Sequence, residues 1–322
     1  MSNTKVYLTR VIPESGMKRL KDYCDIEFWR DDAPVPREVL LEKVKGVDGI
    51  LSMLSDPIDE DVMDAAGEQL RVISNYAVGY DNIDLDAAAA RNIAVCNTPG
   101  VLTNATADLA FTLLMAASRR IIEGVDYVRD DKWITWGPKL LRGYDVWNST
   151  LGIIGLGRIG AAMAVRARGF KMRVLYYNGG RRSEYETECG ALMVESLDQL
   201  LTESDFVSIH CPLNSDTKGL IDSSALRKMK NSAVLINTAR GPVIDTDALY
   251  DALENNEIAY AALDVTDPEP LRANHPLLKL PNCIVIPHLG SATLSTRDKM
   301  AEIAAENLIA VLEGREPQFR VK

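Results

Sequence analysis

The sequence predicts an α/β protein built from two doubly wound parallel-sheet domains, and three observations carry that expectation. Its 322 residues exceed what one compact core usually holds, so two domains are the starting point. Short β-rich runs alternate with helical patterns in two separate series, one before about Pro99 and one from Thr150 onward. Strands separated by helices require right-handed crossovers, which produce a parallel sheet covered on both faces.

In the first series the strands are KVYLTR, DIEFWR, GILSML, RVISNYAV and AVCNT, with helices opening near Pro13 and at Pro36. The stretch Asn104 to Arg119 is apolar around most of its circumference, which suits a helix buried between two bodies. Between Arg120 and Asn148 the pattern becomes irregular yet holds Trp133, Trp136 and Trp147, three of the four tryptophans. So much apolar surface is costly to leave in water, and it is expected to form an intersubunit contact, with packing on the protein's own surface as the alternative. The second series supplies TLGIIG, RVLYYN, ALMV, DFVSIHC, AVLINT, AYAALDV and CIVIP, seven runs that fit a sheet of Rossmann type. Thr293 to Leu312 closes the chain as an expected amphipathic helix carrying Met300, Ile303, Ala304, Leu308, Val311 and Leu312 at helical spacing.

Composition narrows the function classes. Lys and Arg total 36 against 46 Asp and Glu, a net charge of −10, so nucleic acid and anionic membranes are not expected as partners. No apolar run approaches the roughly 18 residues that span a bilayer, and the start lacks a signal-peptide pattern, so the expected location is cytoplasmic. The five cysteines are odd in number, scattered and without a C-x-x-C pair, which reads as free thiols in a reducing compartment and no metal site.

Gly155-Leu156-Gly157-Arg158-Ile159-Gly160 follows an apolar strand and opens a helical pattern. The first glycine permits a tight turn, the second lets backbone approach a pyrophosphate, and the third lets helix and strand pack closely. The helix N-terminus then offers free N–H groups to the phosphates. A dinucleotide cofactor is therefore expected. At the end of the next strand an NAD enzyme usually carries Asp or Glu for the ribose, whereas a 2′-phosphate calls for arginine. Here the strand ends in Asn178-Gly179-Gly180-Arg181-Arg182, which favours NADP, with NAD still possible.

Arg240 after VLINTA, Glu269 after LDVTDP and His288 after CIVIP stand at the C-terminal ends of predicted strands, where open α/β sheets place ligands. Reduction of a 2-oxo acid needs a cation for the carboxylate and carbonyl, and a proton donor for the oxygen that gains charge. Arginine offers a bidentate fork, histidine titrates near neutrality, and a neighbouring carboxylate stabilises the imidazolium form. His210, also at a strand end, is expected to be structural rather than to line an adenine pocket, and His275 to be a helix-entry or loop residue.

The chain resembles the D-isomer-specific 2-hydroxyacid dehydrogenases along nearly its whole length, through NYAVGYDNID, NTPGVLTNATADLA, GIIGLGRIG, INTARGPVID, LDVTDPEPL and PHLGSAT. The segments TWGPKLLRGYDVWNSTLGIIGLGRIG and LDVTDPEPLRANHPLL look most like the glyoxylate and hydroxypyruvate reductase branch. The resemblance implies Arg240 as substrate anchor, Glu269 as partner of the histidine, and His288 as proton donor. It implies that backbone N–H groups of Val78 and Gly79 hold the substrate carboxylate, with Leu54 beside them and Ser291 near. On the cofactor it implies contacts from Pro212, Thr238, Asp264 and Gly290. Trp136 would reach into the site of a partner subunit in a homodimer. Related members that prefer NADP commonly carry arginine where this chain has Gly179, which leaves a 2′-phosphate to Asn178, Arg181 and Arg182. The expected organisation is a flavodoxin-like substrate-binding domain, residues 1–103 and 294–322, and a dinucleotide-binding domain, residues 104–293, with a dimerisation arm at about 120–148. The expected reaction is reduction of glyoxylate or hydroxypyruvate by NADPH. Two alternatives are another family member, such as a 3-phosphoglycerate or formate dehydrogenase, and a cofactor-sensing protein like the corepressors that share the fold.

Overall fold

The computed structural model describes residues 4–321. The chain divides into two compact units, Met1–Leu102 with Ala292–Lys322, and Thr103–Ser291.

In the first unit the elements alternate strictly: β1 (Lys5–Leu8), α1 (Glu14–Tyr23), β2 (Asp25–Phe28), α2 (Arg37–Lys43), β3 (Gly49–Ser52), α3 (Glu60–Ala66), β4 (Val72–Asn75), α4 (Leu85–Ala90) and β5 (Ala94–Cys96). All neighbours pair parallel in the order β2-β1-β3-β4-β5, a flavodoxin-like arrangement. The proline-initiated helices read from sequence are present, since Pro13 and Pro36 stand just before α1 and α2. Their fixed φ suits that position and their missing N–H costs nothing there. Asp59 and Asp84 cap α3 and α4 by accepting from Val62 and Ala87 N–H. β3 and β4 are buried at every residue because helices cover both sheet faces.

The second unit contributes α5 (Thr103–Ser118), α6 (Ile121–Arg129), β6 (Thr150–Ile154), α7 (Arg158–Arg168), β7 (Arg173–Tyr177), α8 (Ser183–Cys189), β8 (Leu192–Met193), α9 (Leu197–Glu203), β9 (Phe206–Ile209), α10 (Ser223–Lys228), β10 (Val234–Asn237), α11 (Thr246–Glu254), β11 (Tyr260–Leu263) and β12 (Cys283–Val285). The strand order is β12-β11-β10-β9-β6-β7-β8, again wholly parallel, with the winding reversing between β6 and β9. That reversal opens a crevice at the strand C-termini, the usual ligand position in such sheets. All seven strands anticipated from the second series are present. α12 (Leu294–Leu312) then returns to the first unit and packs on α1, β3 and β4.

Two elements differ from the sequence reading. α12 is not amphipathic: Ala301, Ala305, Asn307, Ile309 and Ala310 are buried along with the anticipated Met300, Ile303, Ala304, Leu308 and Leu312, because small residues let it sit deep in the unit. In α5, Ala107, Ala110, Leu113, Leu114 and Ala117 pack in one core with α7 and the second sheet, within the expected bounds of that domain. Finally, the supposedly irregular segment begins with the helix α6. No α6 residue is buried, and Ile121, Ile122, Val125 and Val128 form an exposed stripe. Trp133, Ile134, Trp136 and Trp147 continue that apolar surface, Trp136 being 79% exposed.

Among the described residues no helix is long and apolar enough to cross a membrane, and no group of three or more His, Cys, Asp or Glu side chains could hold a metal. The five cysteines are free thiols. Burial pushes all five thiols up, to about 11 for Cys24 and Cys211 and about 12 for Cys96 and Cys283. They stay protonated and unreactive at neutral pH.

Candidate active site

β6 delivers the glycine motif to the switch point. Gly155 has φ +97°, a conformation other residues rarely adopt, and a Cβ there would lie 2.5 Å from the Cys211 backbone nitrogen. A Cβ on Gly160 would lie 2.3 Å from the Gly155 carbonyl oxygen, so the first turn of α7 needs that glycine to pack on β6. Gly157 is different. A Cβ there would meet no protein atom within 4 Å, so the fold does not require its small size. Gly157 is also the N-cap of α7 with no side chain capping the helix. Exposed Arg158 follows it, and the half-buried Ile159 starts the apolar packing. Open space in front of a bare helix N-terminus fits a pyrophosphate.

At the end of β7, Asn178 donates from Nδ2 to the Gly180 carbonyl at 3.0 Å, a local turn bond. Arg181 grips Glu186 with both Nε and Nη2, at 3.0 and 2.9 Å. The Tyr176 hydroxyl also donates to Glu186, at 2.6 Å. These donors, Arg181 first, hold the Glu186 carboxyl below its ordinary range. Arg182 keeps only a loose 3.9 Å pairing with Glu184. Pro212 is exposed on the opposite side of the switch point, following β9.

The buried Thr238 hydroxyl, just past β10, has no hydrogen-bond partner. Buried hydroxyls are normally satisfied, so a polar ligand group at this point fits the chain. Asp264, past β11 and 1% exposed, accepts from the N–H groups of Leu289 at 2.5 Å and Gly290 at 2.8 Å. Burial pushes its carboxyl up despite those two bonds. Asp264 therefore ties the segment after β12 to the end of β11. Thr106 of α5 fastens the same segment by donating to the Gly290 carbonyl at 3.1 Å.

That segment carries His288. Its backbone has φ +51°, unfavourable for a residue with a side chain, and is held by the His288 N–H, which donates to the Asp264 carbonyl at 2.9 Å. The His288 Nδ1 lies 2.7 Å from Glu269 Oε1. An ionised carboxylate only accepts, so Nδ1 carries the hydrogen of this pair and Nε2 takes no part in it. Glu269 is oriented in turn by Thr266 N–H at 3.4 Å on its other oxygen. Arg240 occupies the loop between β10 and α11, where Asn237 Nδ2 donates to its carbonyl at 2.8 Å and its own Nη1 donates to the Ala239 carbonyl at 2.8 Å. Gly241 lets this loop press on the Glu269 loop, since a Cβ would fall 1.9 Å from the Thr266 carbonyl oxygen.

His210 is set apart from this arrangement. Its Nε2 lies 2.8 Å from Ser208 Oγ, no carboxylate accompanies it, and desolvation pushes its imidazole down to about 4. It is neutral at physiological pH. His275 caps a short 3-10 turn by accepting from Leu277 N–H at 3.3 Å.

In the first unit, Leu54 is exposed just past β3 and Ser291 closes the second unit half-buried. Val78 and Gly79 lie in the turn after β4, and their N–H groups meet no acceptor among the described residues. Their carbonyls are held by Asn97 and Asn75 at 2.8 and 2.9 Å. Sequence reasoning missed Asn75, Asn97 and Asn237. Each is an asparagine at a strand end, where its side chain can hold a neighbouring loop, and that position was the available signal.

The sequence profile of the D-isomer specific 2-hydroxyacid dehydrogenase NAD binding domain matches residues 111–290. A glyoxylate reductase of Korarchaeum cryptofilum is 51% identical over 314 residues, covering 97% of this chain and 94% of that protein. The crystal structure of the TT0316 protein of Thermus thermophilus superposes with a TM-score of 0.93 at 46% identity, covering 99% of this chain and all of that one. An NADPH-dependent glyoxylate/hydroxypyruvate reductase of Sinorhizobium meliloti, solved with NADP and malonate, gives a TM-score of 0.87 at 31% identity, covering 99% of this chain and 97% of that one. The chain belongs to the D-isomer-specific 2-hydroxyacid dehydrogenase family, on the branch that its glyoxylate reductase relatives occupy.

Proposed function

We propose that this chain reduces glyoxylate to glycolate and hydroxypyruvate to D-glycerate, with NADPH preferred over NADH. The observation that carries the proposal is the 2.7 Å pair of His288 and Glu269, set beside the Arg240 loop at the C-terminal end of the second sheet. The substrate carboxylate is held by the N–H groups of Val78 and Gly79, with Leu54 and Ser291 lining its place. Arg240 anchors the substrate and polarises the carbonyl. A bound nicotinamide cofactor supplies the hydride. His288 gives the proton on Nε2 to the carbonyl oxygen and is left as a neutral imidazole, still donating from Nδ1 to Glu269. Electrostatic support of the oxygen and proton donation together account for much of the acceleration such a site can give.

The cofactor rests on residues 155–160, with Pro212, Thr238, Asp264 and Gly290 along its length. Preference for NADPH is supported by Asn178, which replaces a repelling carboxylate. It is supported also by Arg182, whose pairing with Glu184 is loose. Arg181 contributes only by leaving Glu186, so selectivity rests mainly on Asn178 and Arg182. The exposed apolar surface of residues 120–148 supports a homodimer in which this arm is the contact and Trp136 reaches the partner's site. Five free thiols support a reducing, cytoplasmic location.

Steady-state consumption of NADPH with glyoxylate tests the reading, with turnover expected on the order of 1 to 10³ s⁻¹. Negligible turnover with intact cofactor binding would instead indicate a cofactor sensor. Turnover of formate or a 3-phosphoglycerate in place of glyoxylate would indicate another branch of the family.

A further inference from the structure

We propose that Asn97 is a positioning residue that aims the Gly79 N–H at the substrate carboxylate, beside a Val78 N–H aimed by the Thr98 backbone. The proposal rests on the reading above that those two groups hold the carboxylate. In a planar trans peptide the C=O and N–H point in opposite directions, so fixing the carbonyl fixes the direction of the N–H that shares its plane. Three successive carbonyls in this turn are fixed. Ala77 O accepts from Thr98 N–H at 2.8 Å, Val78 O from Asn97 Nδ2 at 2.8 Å, and Gly79 O from Asn75 Nδ2 at 2.9 Å. Val78 N–H shares a peptide with Ala77 O, and Gly79 N–H shares one with Val78 O. Both N–H groups are thereby turned away from the buried donors and meet no acceptor among the described residues. Adjacent backbone donors without acceptors are uncommon, and a pair of them suits an anionic ligand.

The two asparagines are themselves held. Asn97 is buried; its N–H donates to the Phe319 carbonyl at 3.3 Å and its carbonyl accepts from Asn307 Nδ2 at 3.0 Å. Asn307, fully buried in α12, closes the array by accepting from Phe319 N–H at 3.2 Å. Asn75 is fully buried, accepts from Ser52 Oγ at 2.9 Å and donates also to Asn82 Oδ1 at 3.0 Å. Since carbonyl oxygens only accept, the Val78 and Gly79 carbonyls settle which amide atom faces them. The Asn97 amide cannot rotate without breaking its bond to the Val78 carbonyl, so the aim of the Gly79 N–H is set before substrate arrives, which lowers the ordering cost of binding.

Asn97 is the residue to test, because its side chain serves only Val78, whereas Asn75 serves several partners. In the full-length enzyme, Asn97→Ala and the isosteric Asn97→Asp are compared with wild type. Each is expected to raise the KM for glyoxylate about tenfold or more, leave kcat within about threefold and leave the Kd of NADPH unchanged, the pattern of lost ground-state and transition-state binding alike. In Asn97→Asp the KM should climb further as pH rises, because only the protonated carboxyl can donate to Val78 O; wild type should lack that climb. A purely packing role would not produce this pH dependence. Wild-type KM in both variants would overturn the positioning role. A crystal structure of the wild type with NADP and oxamate serves even if neither variant folds. The expected structure has the oxamate carboxylate on both N–H groups and Val78 O still on Asn97. A flipped 78–79 peptide, or Asn97 turned onto the ligand, overturns the proposal. Oxamate bound with its carboxylate elsewhere overturns the reading beneath it.

Discussion

The turn after β4 and the loops after β10, β11 and β12 are ordered in opposite ways. In the turn, the Asn97 side chain fixes the Val78 carbonyl, and with it the direction of the Gly79 N–H. In the loops, backbone groups fix side chains: Leu289 and Gly290 N–H hold Asp264, and the Asp264 carbonyl holds the His288 backbone that sets His288 against Glu269. The difference teaches where substitutions act. Side-chain chemistry is lost by replacing the presented residue itself, whereas backbone chemistry survives most replacements at the presenting residue and is lost through its support.

The largest effect is expected at the presented side chain. His288→Ala should lower kcat about 10² to 10⁴-fold while cofactor binding survives, because a general acid is removed and the glycine motif is untouched. Steady-state kinetics with cofactor titration checks this, and near wild-type kcat would place the proton donor elsewhere.

A contrast inside the glycine motif comes next. Gly157→Ala should fold with unchanged melting temperature, since its Cβ enters open space, yet weaken cofactor binding about tenfold, or about 1.4 kcal/mol. Gly160→Ala should instead lower the melting temperature, because its Cβ would lie 2.3 Å from the Gly155 carbonyl. If both variants behave alike, Gly157 is not reserved for a ligand.

Asn178→Asp combined with Arg182→Ala should raise the KM for NADPH about tenfold and leave that for NADH nearly unchanged or improved, since charge-assisted bonds to a 2′-phosphate are worth roughly 1.5 to 3 kcal/mol when shielded. Equal damage with both cofactors would show that the Asn178 end of β7 does not discriminate them.

The smallest effect concerns His210, a histidine at a strand end without a carboxylate partner. Its imidazole titrates near 4 in the folded chain against about 6.5 unfolded, so the unfolded state binds more protons between those values. Its share of stability is complete above pH 6.5 and is lost as pH falls toward 4. Wild type should therefore lose up to about 2 kcal/mol at pH 5 that His210→Asn does not lose. Denaturant titrations of both proteins at pH 7 and pH 5 check it; equal acid sensitivity would show that His210 is not the group responsible.

The same contrast explains what could be read from the sequence. The central strands were legible because buried parallel strands are continuous apolar runs bounded by turn residues, while the more exposed edge strands β2 and β8 showed through their spacing between helices. The pairing of His288 with Glu269 was legible, since a histidine and a carboxylate at neighbouring strand ends readily meet. Asn97 was not, because its contribution passes through a peptide plane 19 residues away. The hold of Glu186 on Arg181 was hidden too, being a choice of partner between the loop after β7 and the helix α8 that follows it. α6 was missed because its four apolar residues lie beside a segment whose aromatic content hid the helical spacing.

In the proposed reaction hydride arrives at the carbonyl carbon of a 2-oxo acid and yields the D product. NADPH deuterated at the transferable position of nicotinamide C4, supplied with hydroxypyruvate, reports on this through the glycerate formed. D-glycerate carrying deuterium on C2 is expected. L-glycerate, or D-glycerate without deuterium, would contradict the proposed reaction.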